Sequence, residues 1–191
     1  MRQREENQMC RFVFILAMAL LTLLPSGLSA GEREDRRAWA GLDLFPSLLA
    51  ADGDITKKHG PDGELLLVLV YTDRKRFATD ITQHLKKIGK IRGIPIRIEL
   101  TQDTSLKGYE ENPPAGIFIA ERLFHRLDSI IQFGRRHHII VFSPFEGDVE
   151  QGVPGGIVVS DRILPYINMK SMRLSKIQIK PFFMRIAEVI H

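Results

Sequence analysis

The sequence predicts an α/β protein in which a mostly parallel sheet lies between two layers of helices. The main observation is that a strand, an amphipathic helix and a second strand follow one another twice, over residues 65–100 and 115–142. A further observation is an apolar strand pair over residues 157–167, followed by a short helix near the C-terminus. We therefore expect a three-layer sandwich built from two β-α-β units, extended by a C-terminal antiparallel strand pair and a short helix.

The first unit opens with residues 65–71, which are apolar on both faces, as a strand inside a parallel sheet is. Apolar residues then recur at steps of four, four and three, which places them on one face of a helix. These residues are Phe77, Ile81, Leu85 and Ile88. Gly89 suits the end of this helix. Residues 94–100 alternate between apolar and other residues, which predicts an edge strand with one solvent-exposed face.

The second unit repeats this order, with a buried strand at residues 115–120, a helix at 121–135 and a strand at 139–142. Its helix carries five apolar residues on the face expected to point inward. These residues are Leu123, Phe124, Leu127, Ile130 and Ile131. The closing strands, at 157–159 and 163–167, are separated by a tight turn, so we expect them to pair antiparallel.

The N-terminus has the layout of a secretory signal peptide. Basic residues precede an apolar run over residues 12–24, and Leu28-Ser29-Ala30 offers a cleavage site. We therefore expect residues 1–30 to be removed and the mature protein to be periplasmic; an uncleaved N-terminal anchor is the alternative interpretation. The single cysteine, Cys10, would leave with the signal peptide, so the mature chain would contain no disulfide.

The composition of residues 31–63 predicts a poorly ordered leader, followed by one α/β domain at residues 64–191. The leader opens with a charge run at residues 32–37 and ends in a turn-rich stretch at residues 52–63. A short helix around residues 42–49 is the only regular element expected in it.

The distribution of charge along the chain is more informative than its net charge. The net charge of +4 is too small to indicate a nucleic-acid partner. Residues 162–191, however, hold six bases and one acid. Such a basic end suits an acidic partner or an anionic lipid, or is a solvated face. Arg173 and Lys176 are our candidate partner contacts in this segment.

An acidic loop follows the second unit. Glu146, Asp148 and Glu150 alternate with other residues just after Phe145. An exposed aromatic residue beside charges is a plausible anchor for a protein contact, so we expect these four residues to belong to a partner surface. A calcium loop of the EF-hand type would need glycine and glutamate where Gln151 and Ile157 stand.

The predicted mature chain, residues 31–191, contains none of the motifs that we associate with catalysis. It lacks a nucleophile elbow, a glycine-rich phosphate loop and a paired-cysteine metal site, so we expect neither an enzyme nor a cofactor. His137 and His138 are adjacent and would point to opposite faces of a strand, so we predict no metal site there. An enzyme that uses Glu121 and Arg122 is a distant third hypothesis.

Two arginines follow buried strands at the edge of the sheet where α/β proteins bind ligands. Arg74 comes shortly after the first strand, and Arg122 comes just after the strand at 115–120. We take them as the alternative candidate site, for an anion. The structural interpretation is that Glu121 favours a helix N-terminus and Arg122 is solvated.

The C-terminal region carries a recognisable order of features. A glycine pair opens one strand, a second strand ends on an asparagine, and a short terminal helix follows. The matching positions are Gly155, Gly156, Asn168, Leu174 and Ala187. This order resembles the C-terminal signature of the YfiR/HmsC-like family of periplasmic regulators, over about residues 64–191 and most specifically over 155–187.

The resemblance implies a regulator that works by protein–protein contact. Its implied partner is the periplasmic domain of an inner-membrane signalling protein, such as a diguanylate cyclase whose cyclic-di-GMP output controls biofilm formation. A homodimer is possible. The alternative function is a periplasmic small-ligand or anion-binding protein of the transport-associated type, since two β-α-β units resemble one lobe of a solute-binding protein.

Overall fold

A computed structural model of the chain describes residues 30–191, and residues 34–191 form one compact unit. The predicted signal peptide and Cys10 therefore lie outside the described residues, apart from Ala30. The strands are β1 (Leu65–Val70), β2 (Lys90–Ile91), β3 (Ile94–Thr101), β4 (Gly116–Ile119), β5 (Ile140–Ser143), β6 (Gly155–Val159), β7 (Ile163–Asn168) and β8 (Glu188–Ile190). The helices are α1 (Ala30–Ala51), α2 (Lys75–Lys86), α3 (Leu127–Arg136), α4 (Met169–Leu174) and α5 (Pro181–Met184).

The described strands form one sheet in the order β2-β3-β1-β4-β5-β6-β7-β8. Strands β3, β1, β4, β5 and β6 run parallel, and β7 pairs antiparallel with β6. The fold class is confirmed: the sheet is mostly parallel, comes from two β-α-β units and is extended by an antiparallel pair. The edge strands β2 and β8 were not expected, because strands of two and three residues are too short to show an alternating pattern.

The side chains of β1 alternate between two cores. Leu65, Leu67 and Leu69 belong to a core that also contains apolar residues of α1 and α2. The intervening side chains belong to a second core, which contains the buried residues of α3. Helices therefore cover both faces of the sheet, as the three-layer prediction requires.

The structure corrects the prediction of a poorly ordered leader at residues 31–63, because most of this stretch is helix α1. This helix presents four fully buried residues to the first core, at helical spacing. They are Leu42, Phe45, Leu48 and Leu49. The short helix expected at residues 42–49 is therefore part of a longer one, which includes the charge run and has Pro46 inside it. The compact unit begins at Glu34, thirty residues before the predicted domain boundary.

The C-terminal segment also has more structure than expected. The basic linker after β7 contains helix α4, and the predicted terminal helix is limited to Pro181–Met184 before the chain enters β8. Met172 and Phe183 are buried in the first core, so both short helices are held by apolar contacts.

The burial of α1 gives a direct test of the corrected boundary. We expect Phe45→Ala to lower the free energy of unfolding by about 3–5 kcal/mol, because the ring is fully buried against Phe118 and Phe142. Urea unfolding of the purified protein measures this loss. Ser47→Ala is the matched control on the exposed face of α1 and should change stability by less than about 0.5 kcal/mol. Equal stability of the two variants would show that α1 is not part of the core.

Candidate functional site

The candidate site lies where the carboxyl ends of β1 and β4 meet. The chain leaves β1 toward β3 on one side and leaves β4 toward β5 on the other. The direction of the strand order therefore reverses between β1 and β4. In open α/β sheets such a reversal opens a crevice in which ligands bind.

One carboxylate organises this edge. Glu121 Oε2 accepts hydrogen bonds from the backbone N–H groups of Thr72, Asp73 and Arg74, at 3.0, 2.9 and 3.0 Å. Its Oε1 accepts a hydrogen bond from Thr72 Oγ1 at 2.9 Å. Because these N–H groups lead into the start of α2, Glu121 supplies the anion that a helix N-terminus favours.

These contacts favour the ionised form of the Glu121 carboxyl. Burial raises the pKa of its carboxyl, but the hydrogen bonds from Thr72, Arg74 and Asp73 outweigh burial and lower the pKa overall. Its negative charge also explains why the basic residues near the start of α2 are tolerated there.

Arg74 and Arg122, the predicted anion-binding pair, both lie at this edge, but each is bound to a carboxylate of α1. The Arg74 guanidinium forms two hydrogen bonds with Asp35, one of them 2.8 Å between Nη2 and Oδ2. Arg122 Nε donates to Glu34 Oε1 at 2.9 Å, and its Nη1 donates to the backbone oxygen of Glu146 at 3.0 Å. Hydrogen bonding to Asp35 raises the pKa of Arg74. The positive charge of both arginines is therefore largely neutralised within the protein.

Helix α1 makes a third polar contact at this edge. Arg37 Nε donates to the backbone oxygen of Pro144 at 2.8 Å, and Nη2 donates to that of Ile157 at 3.3 Å. Burial lowers the pKa of Arg37, partly opposed by Glu146. The start of α1 thus ties together the loops that follow β1, β4 and β5.

A cleft of about 300 Å³ remains open beside these contacts. It is lined by Thr72, Asp73, Glu121, Arg122, Leu123, Phe124, His125 and Arg126. Phe124 is 72% exposed and has a φ of 44°, in the left-handed region that a phenylalanine rarely adopts. His125 and Arg126 are exposed, and neither forms an ion pair with another described residue. The cleft is therefore an open part of this edge, and Arg122 is one of its lining residues.

The predicted acidic partner loop is only partly exposed, which corrects the expectation for two of its four residues. Phe145 is 3% exposed and belongs to the second core, below the guanidinium of Arg122. Asp148 is 4% exposed and accepts a hydrogen bond of 2.5 Å from Ser143 Oγ. Burial raises the pKa of Asp148. The loop folds inward on Ser143, so of the four predicted residues only Glu146 and Glu150 remain on the surface.

The predicted basic contacts, Arg173 and Lys176, are exposed. They follow Asn168, whose side chain joins α4 to the acidic loop. Asn168 Oδ1 accepts from the backbone N–H of Ser171 at 2.9 Å, and Nδ2 donates to the backbone oxygen of Val149 at 2.8 Å. The two predicted partner segments are therefore connected through one buried side chain.

Three of the five positions that carry the family resemblance have structural roles here. A Cβ atom on Gly155 would collide with Leu48 of α1, and one on Gly156 would collide with the backbone oxygen of Ser143. Asn168 caps α4. Leu174, in contrast, is exposed, so burial in the core does not explain its presence.

The two adjacent histidines make separate contacts. His137 Nε2 lies 2.7 Å from Glu110 Oε2, whereas His138 Nδ1 lies 3.0 Å from the backbone oxygen of Ser175. Within residues 30–191 no group of three or more His, Cys, Asp or Glu side chains is arranged to hold a metal ion. No helix among the same residues is both long enough and apolar enough to cross a bilayer.

Three features of the site were missed in the sequence. Glu34 and Asp35 belong to the charge run of the predicted leader. Acidic residues near the start of a helix were the signal that could have identified them. Phe124 was assigned to the inner face of a helix, but that helix begins only at Leu127 and a 3₁₀ turn precedes it.

No protein-family model matches the chain, and no curated protein matches it. A similar solved structure is the ABC domain in complex with L-Trp from Streptococcus pneumonia, with a TM-score of 0.52 and 11% sequence identity. The match covers 81% of this chain, which spans 60% of the length of that one. At this identity the similarity shows the α/β fold alone.

The cap formed by Glu121 predicts a measurable loss on substitution. We expect Glu121→Gln to lower the free energy of unfolding at neutral pH by about 1 kcal/mol, because an amide cannot replace a carboxylate that accepts four hydrogen bonds. Urea unfolding measures the loss. Glu111→Gln, at an exposed position, is the control and should leave stability unchanged.

The same carboxylate predicts a pH dependence. Because its folded-state pKa is lowered, its contribution to stability is complete above the ordinary glutamate pKa of about 4.3 and is lost as the pH falls through the folded value. The stability difference between the wild type and Glu121→Gln should therefore be constant from about pH 6 to 8 and shrink toward about pH 3. A difference that grows on acidification would contradict this assignment.

The close contact at Gly156 predicts that even one methyl group is not tolerated. We expect Gly156→Ala to cost about 2 kcal/mol, because its Cβ would collide with backbone and with Val149 rather than with a flexible side chain. Gly108→Ala is the matched control, since a Cβ atom there meets no atom within 4 Å. Thermal unfolding of both variants checks this, and equal midpoints would contradict it.

Proposed function

We propose that this chain is an exported, non-enzymatic regulatory protein that binds the periplasmic region of an inner-membrane signalling protein, such as a diguanylate cyclase, and holds it inactive. The resemblance of residues 155–187 to the YfiR/HmsC-like signature supports this proposal. The observation that carries it is that the segment with this resemblance exposes large apolar side chains to solvent.

Three of these side chains define what we call the C-terminal surface: Leu174, Phe182 and Ile186. Their exposed fractions are 47%, 50% and 56%. Bases interleave with them in sequence, and Arg173 and Lys176 are among these. Exposed apolar residues near charges are typical of protein–protein contacts, so the complementary partner surface would be apolar and acidic.

Other residues of the C-terminal segment hold the backbone of this surface in place. Leu174 closes α4, which Asn168 caps, and Phe182 precedes the buried Phe183 in α5. A partner would therefore meet side chains that project from backbone held by buried neighbours, which reduces the ordering cost of binding.

We expect Phe182→Ser to weaken partner binding without unfolding the protein, because the residue is half exposed and its buried neighbour stays in place. The wild-type protein should co-purify from solubilised envelope with a diguanylate cyclase that has a periplasmic domain, and Phe182→Ser should retain at most about a tenth of that amount. Ile88→Ser, which removes an exposed apolar residue just beyond α2, is the control and should bind like the wild type.

A measurement in cells completes the test. Deletion of the gene should raise cyclic-di-GMP and biofilm formation, and the Ile88→Ser gene should restore both, whereas Phe182→Ser should not. Unchanged cyclic-di-GMP on deletion would overturn the proposed function. Full restoration by Phe182→Ser would overturn the C-terminal surface as its binding site.

A second candidate function is the binding of a small molecule. The open cleft between the ends of β1 and β4 favours it, and the similar solved structure is in complex with L-Trp. A thermal-shift screen of amino acids, anions and common metabolites tests this candidate, since a ligand that binds only the folded state raises the unfolding temperature. A screen without any reproducible shift would count against it.

A further inference from the structure

We propose that the cleft beside Phe124 binds a small zwitterion with an apolar side chain, that is, a molecule of the α-amino acid class. This proposal rests on the second candidate function and is independent of the partner complex. The volume of the cleft, about 300 Å³, is at the lower end of the range for small-molecule sites, which suits a ligand of amino-acid size.

The cleft is lined by charges of both signs. Asp73 and Glu121 contribute two carboxylates to its lining, whereas Arg126 and His125 contribute a guanidinium and an imidazole. Glu121 is engaged by four hydrogen bonds, and Arg122 is bound to Glu34. The groups left for a ligand are therefore the carboxylate of Asp73 and the side chains of His125 and Arg126.

This arrangement selects against ligands of a single charge. A simple anion that approached Arg126 would also meet Asp73 and the fixed negative charge of Glu121. A simple cation would meet Arg126 and Arg122 in the same way. A molecule with an ammonium and a carboxylate group satisfies both sets, with the ammonium group toward Asp73 and the carboxylate toward Arg126 and His125.

Phe124 supplies the apolar contact. Its ring is exposed at the cleft, and its backbone is held in a conformation that is unfavourable for a residue with a side chain. A strained backbone that presents an exposed aromatic ring is typical of a functional position, because no stabilising burial accounts for the residue. The ring offers a flat apolar surface for the side chain of the ligand.

Isothermal titration calorimetry on protein purified from cells that express the full chain tests the ligand class. The probe is L-phenylalanine, compared with 3-phenylpropionate, which lacks the ammonium group, and 2-phenylethylamine, which lacks the carboxylate. We expect L-phenylalanine to bind and both comparators to bind at least tenfold more weakly. Absence of binding by L-phenylalanine at millimolar concentration, or equal binding by either comparator, would overturn the proposal.

Three variants locate the site. We expect Arg126→Gln to weaken L-phenylalanine binding at least tenfold, whereas Arg92→Gln, an exposed arginine in the turn between β2 and β3, should bind like the wild type. Phe124→Gly should also lose binding but raise the unfolding temperature of the free protein, because glycine adopts a positive φ without strain. Retained binding in both Arg126→Gln and Phe124→Gly would overturn the assignment to this cleft.

The outcomes of this experiment and of the partner test are distinguishable. Calorimetry uses the purified protein alone, so it reports on the cleft even if no signalling partner is captured. Conversely, Phe182→Ser alters the C-terminal surface and should leave L-phenylalanine binding unchanged.

Discussion

The close packing of α1 on the sheet is the constraint on which much of this structure depends. A Cβ atom on Gly116 of β4 would collide with Leu49 and Phe45, and one on Gly155 of β6 would collide with Leu48. Glycine in these two strands therefore lets the helix lie directly on the backbone of the sheet. The resulting contact buries the apolar stripe of α1 and fixes the position of the helix from Glu34 onward.

The polar contacts at the carboxyl edge follow from this packing. With its apolar stripe fixed on the sheet, α1 brings Glu34 and Asp35 to Arg122 and Arg74, and Arg37 to the loop after β5. The protein thereby binds its own basic residues at the position where many α/β proteins bind a ligand. Binding by a simple anion at the arginine pair would require displacement of two intramolecular carboxylates. The open cleft beside Phe124 does not carry this requirement, and for that reason the proposed ligand site lies there.

The two proposed binding regions use different physical properties. The C-terminal surface offers exposed apolar residues and bases on and just after two short helices, which suits a large partner whose interface excludes water. The cleft offers convergent charges of both signs in a small volume, which suits a molecule that fits within it. A regulator that contains both could couple a small molecule to a signalling protein, provided that the two binding events change each other's affinity.

Some of the candidate site was predictable from local pattern and some was not. The position of Arg74 and Arg122 after buried strands could be read from the sequence, because the end of an apolar run marks the edge of a parallel sheet. Their neutralisation by Glu34 and Asp35 could not, since the paired residues are separated by 39 and 88 positions in the chain. The burial of Phe145 and Asp148 likewise depends on a turn around Ser143 whose hydrogen bonds leave no periodic signal.

The sequence by itself determined the α/β class, the two β-α-β units and the antiparallel strand pair, because the periods of helices and strands are local properties of the chain. Only the tertiary structure decided that the helix over residues 34–51 packs on the core, that α1 neutralises the arginine pair, and that the cleft beside Phe124 stays open. These outcomes depend on which distant residues meet. Such contacts are set by the packing of whole elements against one another and not by the residues on either side in the chain.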